Sequence, residues 1–284
     1  MPSSFDPVIT SLEGAMVANV AFPSLSAPAW PGKVASFGAW TILLGVILAA
    51  SSGPLNRFTS IGPQVVLLLL AAGVVLLAVG ALLAIVGFLI ALARRAPLAR
   101  GSVAVAIVVA LGLLGYLLTW LRLGLSAPPI HEISTDLAVP PPFVEVVARR
   151  QQAGATYPPD YIAEITGRSG RINVPEIQRK AYPDIQPAIL PGLAPARAFV
   201  RVEAVVQDLG WELVAAVPEE GRIEATDTSR FFGFRDDVVI RMRAEAGGTR
   251  VDARSKSRTG FSVSDLGSNA RRLRRLLELV KAGA

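Results

Sequence analysis

The stretch from Gln64 to Ala93, QVVLLLLAAGVVLLAVGALLAIVGFLIALA, is the strongest indication of the fold class of this chain. None of its residues carries a charge. As an α-helix it would be roughly 45 Å long at about 1.5 Å per residue, while the hydrocarbon core of a bilayer is about 30 Å thick. The stretch therefore predicts a transmembrane helix that tilts or projects from the membrane at one end.

Two further uncharged, apolar stretches lie on either side of it. They are residues 34–55, VASFGAWTILLGVILAASSGPL, and residues 102–121, SVAVAIVVALGLLGYLLTWL. Each is long enough to cross a bilayer. The sequence thus predicts an N-terminal segment (1–33), a three-helix transmembrane region (34–125, with the middle span at 64–93) and a soluble domain (126–284), with the lipid bilayer as the first partner.

The loops between the spans differ in positive charge. The loop ARRAPLARG, between the second and third spans, has three arginines, whereas SSGPLNRFTSIGP, between the first and second, has one. Short loops rich in Lys and Arg stay in the cytoplasm. This pattern predicts a protein of the bacterial inner (cytoplasmic) membrane, with its N-terminus inside and its C-terminal domain in the periplasm.

The second span carries a stripe of small residues. Gly73, Gly80 and Gly87 recur every seven residues, and Ala84 lies on the same helix face. Small residues allow two helix backbones to approach closely in a membrane. The stripe predicts packing against the other spans, or an interface with a second copy or a partner membrane protein. The spans contain no Asp, Glu, Lys, Arg or His, which argues against a pump or a secondary transporter.

The net charge and the absence of cysteine exclude several classes of function. The formal net charge is +6, of which +4 arises before Ser126 from six basic and two acidic residues, so the soluble half is nearly balanced. No aromatic residues alternate with a basic stripe, and we predict no nucleic-acid partner. The chain has no cysteine, which excludes disulfides, zinc–thiolate sites and cysteine nucleophiles. We predict no cofactor.

The soluble half changes pattern along its length. Residues 140–195 are rich in proline, which lacks the donor that helices and inner strands need, so we predict an extended wrapping loop. Beyond it, the periodicity predicts an α+β domain with a mainly antiparallel sheet covered by helices, in the order of helix-grip or TATA-binding-protein-like folds by analogy. The predicted elements are a helix at 195–210, strands at 211–217, 222–228, 237–246 and 249–257, a Gly247–Gly248 turn, and a helix from Ser264.

Several segments of the soluble half occur in an order that resembles a known family. They are HEISTD (131–136), PPF (141–143), GW (210–211), IEATDT (223–228), FGFRDD (232–237), VDARSKSR (251–258) and SDLGSNA (264–270). The similarity is to the family called domain of unknown function 1499 and covers about residues 130–280. The resemblance implies that this part is one domain, and it implies no known activity.

Charged side chains cluster on the predicted strands and supply the candidate binding residues. These are Asp227, Asp237, Arg241, Asp252, Arg254, Arg258 and Asp265. Paired across neighbouring strands they would form a salt-bridge network on an open sheet face. Alternatively, the arginines would bind an anion or a lipid headgroup in two-pronged fashion. A calcium site built from Asp227, Asp236 and Asp237 is disfavoured because their spacing matches no known loop, so we predict no metal.

No catalytic motif accompanies these residues. The sequence has no G-x-S-x-G, S-x-x-K, P-loop or G-x-G-x-x-G pattern, and we assign no catalytic residue. The leading hypothesis is a non-enzymatic, membrane-anchored binding or accessory module of the cell envelope for a partner protein or an amphipathic ligand. The alternatives are a structural subunit of a larger membrane complex and an envelope hydrolase that uses the Asp/Arg cluster. The basic face of the last helix is either solvated or lies on anionic headgroups; it comprises Arg271, Arg272, Arg274 and Arg275.

Overall fold

Three long apolar helices form the first half of the structure. The computed structural model describes residues 28–59, 61–167, 170–259 and 264–283, so most of the predicted N-terminal segment lies outside the described residues. The helices are α1 (Trp30–Thr59), α2 (Pro63–Ala93) and α3 (Arg100–Ser126). All three are long and apolar enough to cross a membrane, and α1 and α3 extend beyond the predicted spans at both ends.

Helices α1 and α2 pack tightly in antiparallel orientation. A β-carbon added at Gly80 would lie 2.8 Å from the backbone nitrogen of Ile42, and one added at Gly73 would lie 2.8 Å from the carbonyl oxygen of Gly45. Only glycine permits such an approach between two helix backbones. The small-residue stripe of α2 therefore faces α1 within the same chain.

The second half contains an antiparallel sheet and a separate hairpin. The sheet has the strand order β1-β8-β7-β6-β5, with β4 pairing beside β1 on the same edge of β8, and β2 pairs only with β3. The strands are β1 (Glu132–Ser134), β2 (Glu164–Gly167), β3 (Gly170–Asn173), β4 (Ala188–Pro191), β5 (Glu212–Val217), β6 (Arg222–Thr228), β7 (Arg235–Glu245) and β8 (Gly248–Ser257).

The turn between β7 and β8 differs by one residue from the predicted turn. Glu245 pairs with Gly248, so the two turn residues are Ala246 and Gly247 rather than Gly247 and Gly248. Gly247 has a φ of 84°, in the left-handed region that tight hairpin turns require.

The proline-rich stretch is more regular than we predicted. It contains helices α4 (Val146–Gln152) and α5 (Val174–Ala181), the β2–β3 hairpin and strand β4. The prediction of a loop without regular elements was therefore wrong. Proline fits α5 because Pro175 lies in its first turn, where no backbone donor is needed, and the side chain of Asn173 caps the same helix end.

Two helices cover one face of the sheet, and the domain has the predicted α+β architecture. They are α6 (Pro195–Asp208) and α7 (Ser268–Ala282). Val238, Ile240 and Ala253 point from the strands into this core, as their alternation predicts. The last helix begins at Ser268 rather than at the predicted Ser264, and Leu266 lies in the turn before it and is 39% exposed.

Candidate functional site

Most of the predicted charged cluster lies on the sheet face opposite α6 and α7. The strand register places Thr226, Asp237 and Lys256 side by side on adjacent strands, and it pairs Arg241 with Asp252 in the same way. This face is not open as predicted. Residues 136–161, which we call the crossing segment, cover it with prolines and with helix α4 and bury its charges.

Asp237 is the centre of the buried charges. Its carboxylate accepts hydrogen bonds from Arg150 at 2.6 Å, from Arg258 at 2.7 to 3.1 Å and from the hydroxyl of Thr226 at 2.8 Å. Arg150 comes from α4, so this contact joins the crossing segment to the sheet. Burial lowers the pKa of Arg150, and the neighbouring Asp237 carboxylate opposes that shift.

A second buried group binds the prolines of the crossing segment. Glu132 accepts hydrogen bonds from Arg254 and, at 3.0 Å, from Lys256. Arg254 also donates to the carbonyl oxygens of Pro141 at 3.1 Å and Pro159 at 2.7 Å. Proline-rich backbone has few donors and does not form a sheet ladder, so its carbonyl oxygens need donors from elsewhere. Arg254 supplies two of those donors, and Lys256 supplies another to the carbonyl oxygen of Asp160 at 2.6 Å. Burial lowers the pKa of Lys256, and Glu132 opposes that shift.

A third group surrounds Asp252 at the far end of the same face. The fully buried carboxylate of Asp252 lies 3.2 Å from Arg241, 3.0 Å from Arg243 and 2.9 Å from Arg250. Asp136 of the crossing segment joins the same arginines. Burial raises the pKa of Asp136, but backbone hydrogen bonds and the nearby arginines together lower it below its ordinary value of 3.8.

Asp227 and Asp265 belong to the opposite side of the sheet. Asp227 lies 2.7 Å from Arg272 of α7, which also lies 2.6 Å from Asp236. Asp265 accepts hydrogen bonds from the amides of Gly267 and Asn269 and caps the start of α7. Burial raises the pKa of Asp265, and the charge of Asp236 adds to the increase.

The predicted cluster is therefore not one site: it divides into three sets of internal contacts on the covered face, and Asp227 and Asp265 make separate contacts on the other side of the sheet. Arg272 is buried, so the prediction of a uniformly solvated or lipid-facing basic helix face was wrong at that residue. Among the residues that the structure describes, no three carboxylate, histidine or cysteine side chains converge to hold a metal ion. Sequence reasoning also missed four central members of the sets; they are Glu132, Arg150, Glu224 and Lys256.

Glu224 on β6 binds the start of helix α4, within the crossing segment. Its buried carboxylate accepts hydrogen bonds from the backbone amides of Val144, Glu145 and Val146 at 2.8 to 3.2 Å. These amides begin α4, where a helix has unsatisfied donors and favours negative charge. The alternation of β6 could have flagged Glu224, because the pattern places it on the same face as Thr226.

A second feature is the contact between the domain and the helix ends. The loop 229–234, between β6 and β7, meets the C-terminal end of α1. There Asn56 Nδ2 donates to the carbonyl oxygen of Phe232 at 2.7 Å, and Arg57 donates to the carbonyl oxygen of Arg230 at 2.6 Å. We call these bonds, together with those described next, the helix-end contacts.

The end of α3 makes the other part of the helix-end contacts. Leu266, a non-glycine residue with a φ of 55°, reaches Gly124, where an added β-carbon would lie 2.6 Å from Leu266 Cδ2. The guanidinium of Arg271 lies 5.9 Å from the centre of the Trp120 ring, within cation–π range. The domain therefore rests directly on the ends of two apolar helices.

Comparison with known sequences assigns the family. The family model described as "Protein of unknown function (DUF1499)" matches residues 132–280, just over half of the chain. The chain belongs to this family. The DUF1499 match begins at Glu132, the carboxylate that binds Arg254 and Lys256, and ends at Val280 in the buried stripe of α7. It thus spans the buried charges as well as the core and leaves out the three apolar helices. No curated protein sequence matches the chain.

Proposed function

We propose that this member of the DUF1499 family is a non-enzymatic, membrane-anchored binding or accessory module of the cell envelope. Its C-terminal domain would engage a partner protein or an amphipathic ligand, such as a lipid, at the membrane surface. The observation that carries the proposal is the set of helix-end contacts, because they hold the domain against the region where the bilayer surface lies.

The charged residues bind one another within the domain, and this arrangement supports a binding role rather than hydrolysis. Each carboxylate of the predicted cluster already accepts hydrogen bonds or ion pairs from this chain, and Asp237 and Asp252 are fully buried. A hydrolytic site needs carboxylates that can reach a substrate within a cleft. The envelope-hydrolase alternative therefore has no support from the arrangement of these residues.

The exposed side chains at the helix-end contacts suit an amphipathic ligand. Phe231 is 46% exposed and lies against α1, and Leu266 is 39% exposed and lies against α3. Arg230 beside Phe231 adds a positive charge. Aromatic and basic side chains together are typical of surfaces that contact the interface between lipid and water.

The distribution of charge along the helices supports an extracytoplasmic domain. Lys33, Arg94, Arg95 and Arg100 lie at the helix ends remote from the domain, whereas the helices carry only Arg57 and Arg122 near it. The more positive end of a membrane protein faces the cytoplasm. On this basis we place the domain in the periplasm of a bacterial cell.

A photo-crosslinking experiment in native membranes tests the proposal. Photoreactive benzoylphenylalanine replaces Phe231 in the full chain, and a control carries it at Ala246. The control is remote because β7 has 11 residues and separates the two positions by roughly 35 Å at about 3.3 Å per residue. We expect adducts with lipid or with one discrete protein from position 231 alone. Equal adducts at both positions, or none at position 231, would contradict the proposal.

The alternative of a structural subunit requires a different docking surface from the one that the sequence suggested. Gly73, Gly80 and Gly87 pack against α1, so a partner helix could not reach them without separating α1 from α2. Helix α3 is more accessible, since added β-carbons at Gly112 and Gly115 would meet no atom of the described residues within 4 Å. As a second proposal, a partner helix would therefore dock on α3.

A further inference from the structure

An open groove lies between the helix ends remote from the domain. The loop between α2 and α3 folds over the start of α1, so that Gly32 touches the carbonyl oxygen of Pro97 and the guanidinium of Arg94 lies 5.7 Å from the centre of the Trp30 ring. The groove between them has a volume of about 450 Å³. Its lining residues are Ala29, Gly32, Lys33, Ser36, Pro97, Leu98 and Ala99.

The groove is strongly positive. Lys33 lines it, and Arg94, Arg95 and Arg100 belong to the helix ends and the loop beside it. All four side chains are exposed. No aspartate or glutamate occurs between residues 28 and 131, so no carboxylate from the described part of the three helices neutralises these cations. A concentration of unneutralised cations on a membrane protein attracts anionic headgroups.

An apolar surface continues from the groove along α1. Phe37 and Trp40 follow Lys33 at spacings of four and seven residues, so the three side chains share one helix face. Phe37 is 64% exposed and Trp40 is 70% exposed. With Lys33 in the first turn of a helix that is longer than the hydrocarbon core, the positive groove lies at headgroup depth and the aromatic residues lie beside the acyl chains.

We propose that this groove binds the phosphate headgroup of an anionic phospholipid, with Lys33 and Ser36 contacting the phosphate and the acyl chains lying along Phe37 and Trp40. The surrounding arginines supply the remaining positive charge. Since the groove lies at the opposite end of the helices from the domain, this inference is independent of the proposed binding role of the domain.

Native mass spectrometry of the full-length protein tests the proposal. The protein is taken from nanodiscs that contain phosphatidylglycerol and phosphatidylcholine, and the retained lipid is identified and titrated. Lys33→Gln/Arg100→Gln should weaken retention of phosphatidylglycerol by roughly 25-fold, since each basic residue near a membrane surface contributes about a factor of five. The control Arg122→Gln/Arg197→Gln removes the same charge at two exposed arginines remote from the groove and should leave retention unchanged.

A second variant tests whether the lipid binds in the groove itself or is attracted by the positive charge alone. Ser36→Leu fills the groove without changing its charge and should also release phosphatidylglycerol, with helix content checked by circular dichroism. Equal retention by wild type, Lys33→Gln/Arg100→Gln and Ser36→Leu would overturn the proposal. So would thermal stabilisation by inorganic phosphate alone that matches the stabilisation by phosphatidylglycerol, because the site would then bind a free anion rather than a lipid.

Discussion

The guanidinium of Arg150 lies 2.6 Å from the carboxylate of Asp237, with both side chains almost completely buried. This ion pair joins α4 in the crossing segment to the central strand of the sheet. Asp237 also faces Arg258, so one carboxylate balances two buried cations. The charged face of the sheet is therefore a second internal layer of the domain, in which ion pairs surround a small apolar cluster of Phe143, Val146 and Val239.

Removing that carboxylate should strongly destabilise the domain. Asp237→Ala leaves Arg150 and Arg258 without their shared partner, and breaking a buried ion pair by removing one member costs about 3–5 kcal/mol. The free energy of unfolding can be measured by pulse proteolysis of the full-length protein in urea. The exposed carboxylate of Glu278, 3.7 Å from Arg275, provides the control, because Glu278→Ala should cost less than about 1 kcal/mol. Equal losses in the two variants would contradict the internal role of Asp237.

The bonds from Arg254 should hold the crossing segment on the sheet. Arg254→Lys keeps the charge, but a single ammonium group cannot reproduce the separate bonds to Glu132, Pro141 and Pro159. We expect faster hydrogen exchange within residues 136–161 and little change in α6. Arg275→Lys, at a side chain of α7 that is 63% exposed, is the control. Unchanged exchange in the crossing segment of the Arg254→Lys variant would count against this arrangement.

Two glycine-to-alanine substitutions should have opposite effects on the membrane helices. Gly80→Ala forces a β-carbon within 2.8 to 2.9 Å of backbone atoms of Ile42 and Gly38 and should lower the melting temperature in detergent. Gly112→Ala on α3 meets nothing within 4 Å, and should be neutral or stabilising because alanine favours helix by up to about 1 kcal/mol. If Gly80→Ala instead dissociates an oligomer without lowering the melting temperature, the stripe contacts a second copy rather than α1.

Asp265 and Asp136 should give the domain pH dependences of opposite sign. Because the folded pKa of Asp265 is raised, its contribution to stability falls as pH rises from the unfolded value of 3.8 through the folded pKa. Asp265→Asn should remove this loss of stability with rising pH. The folded pKa of Asp136 is lowered, so its contribution is present above 3.8 and is lost as pH falls through the folded pKa. Stability–pH curves of wild type, Asp265→Asn and Asp136→Asn check both signs, and parallel curves for all three would contradict them.

The membrane helices and the core face of the sheet could be predicted because their signals are local. An uncharged run such as that in α2 specifies a span without knowledge of the rest of the chain. Likewise, Val238 and Ile240 alternate with polar residues on β7, and the alternation alone identifies the core face. Both predictions depend on hydrophobicity within a short window.

The covered polar face could not be predicted because its partners are distant in the chain. Arg150 lies 87 residues before Asp237, and Glu224 lies 78 residues after the Val146 amide that it binds. The prolines of the crossing segment indicated an irregular loop. The carboxylate that binds the first amides of α4 belongs to Glu224 on β6, which the local sequence does not reveal. A single sequence shows the charges on the strands but does not show which segment covers them.

Cysteine labelling is the sharpest test of our proposal that the domain lies outside the cytoplasm on the membrane surface. The chain has no cysteine, so Ala246→Cys in the β7–β8 turn and Ala99→Cys in the α2–α3 loop each introduce a single thiol. Intact cells are treated with a membrane-impermeant maleimide before and after disruption. We predict that Ala246→Cys is labelled in intact cells and that Ala99→Cys is labelled only after disruption. Labelling of Ala99→Cys but not Ala246→Cys in intact cells would contradict the account.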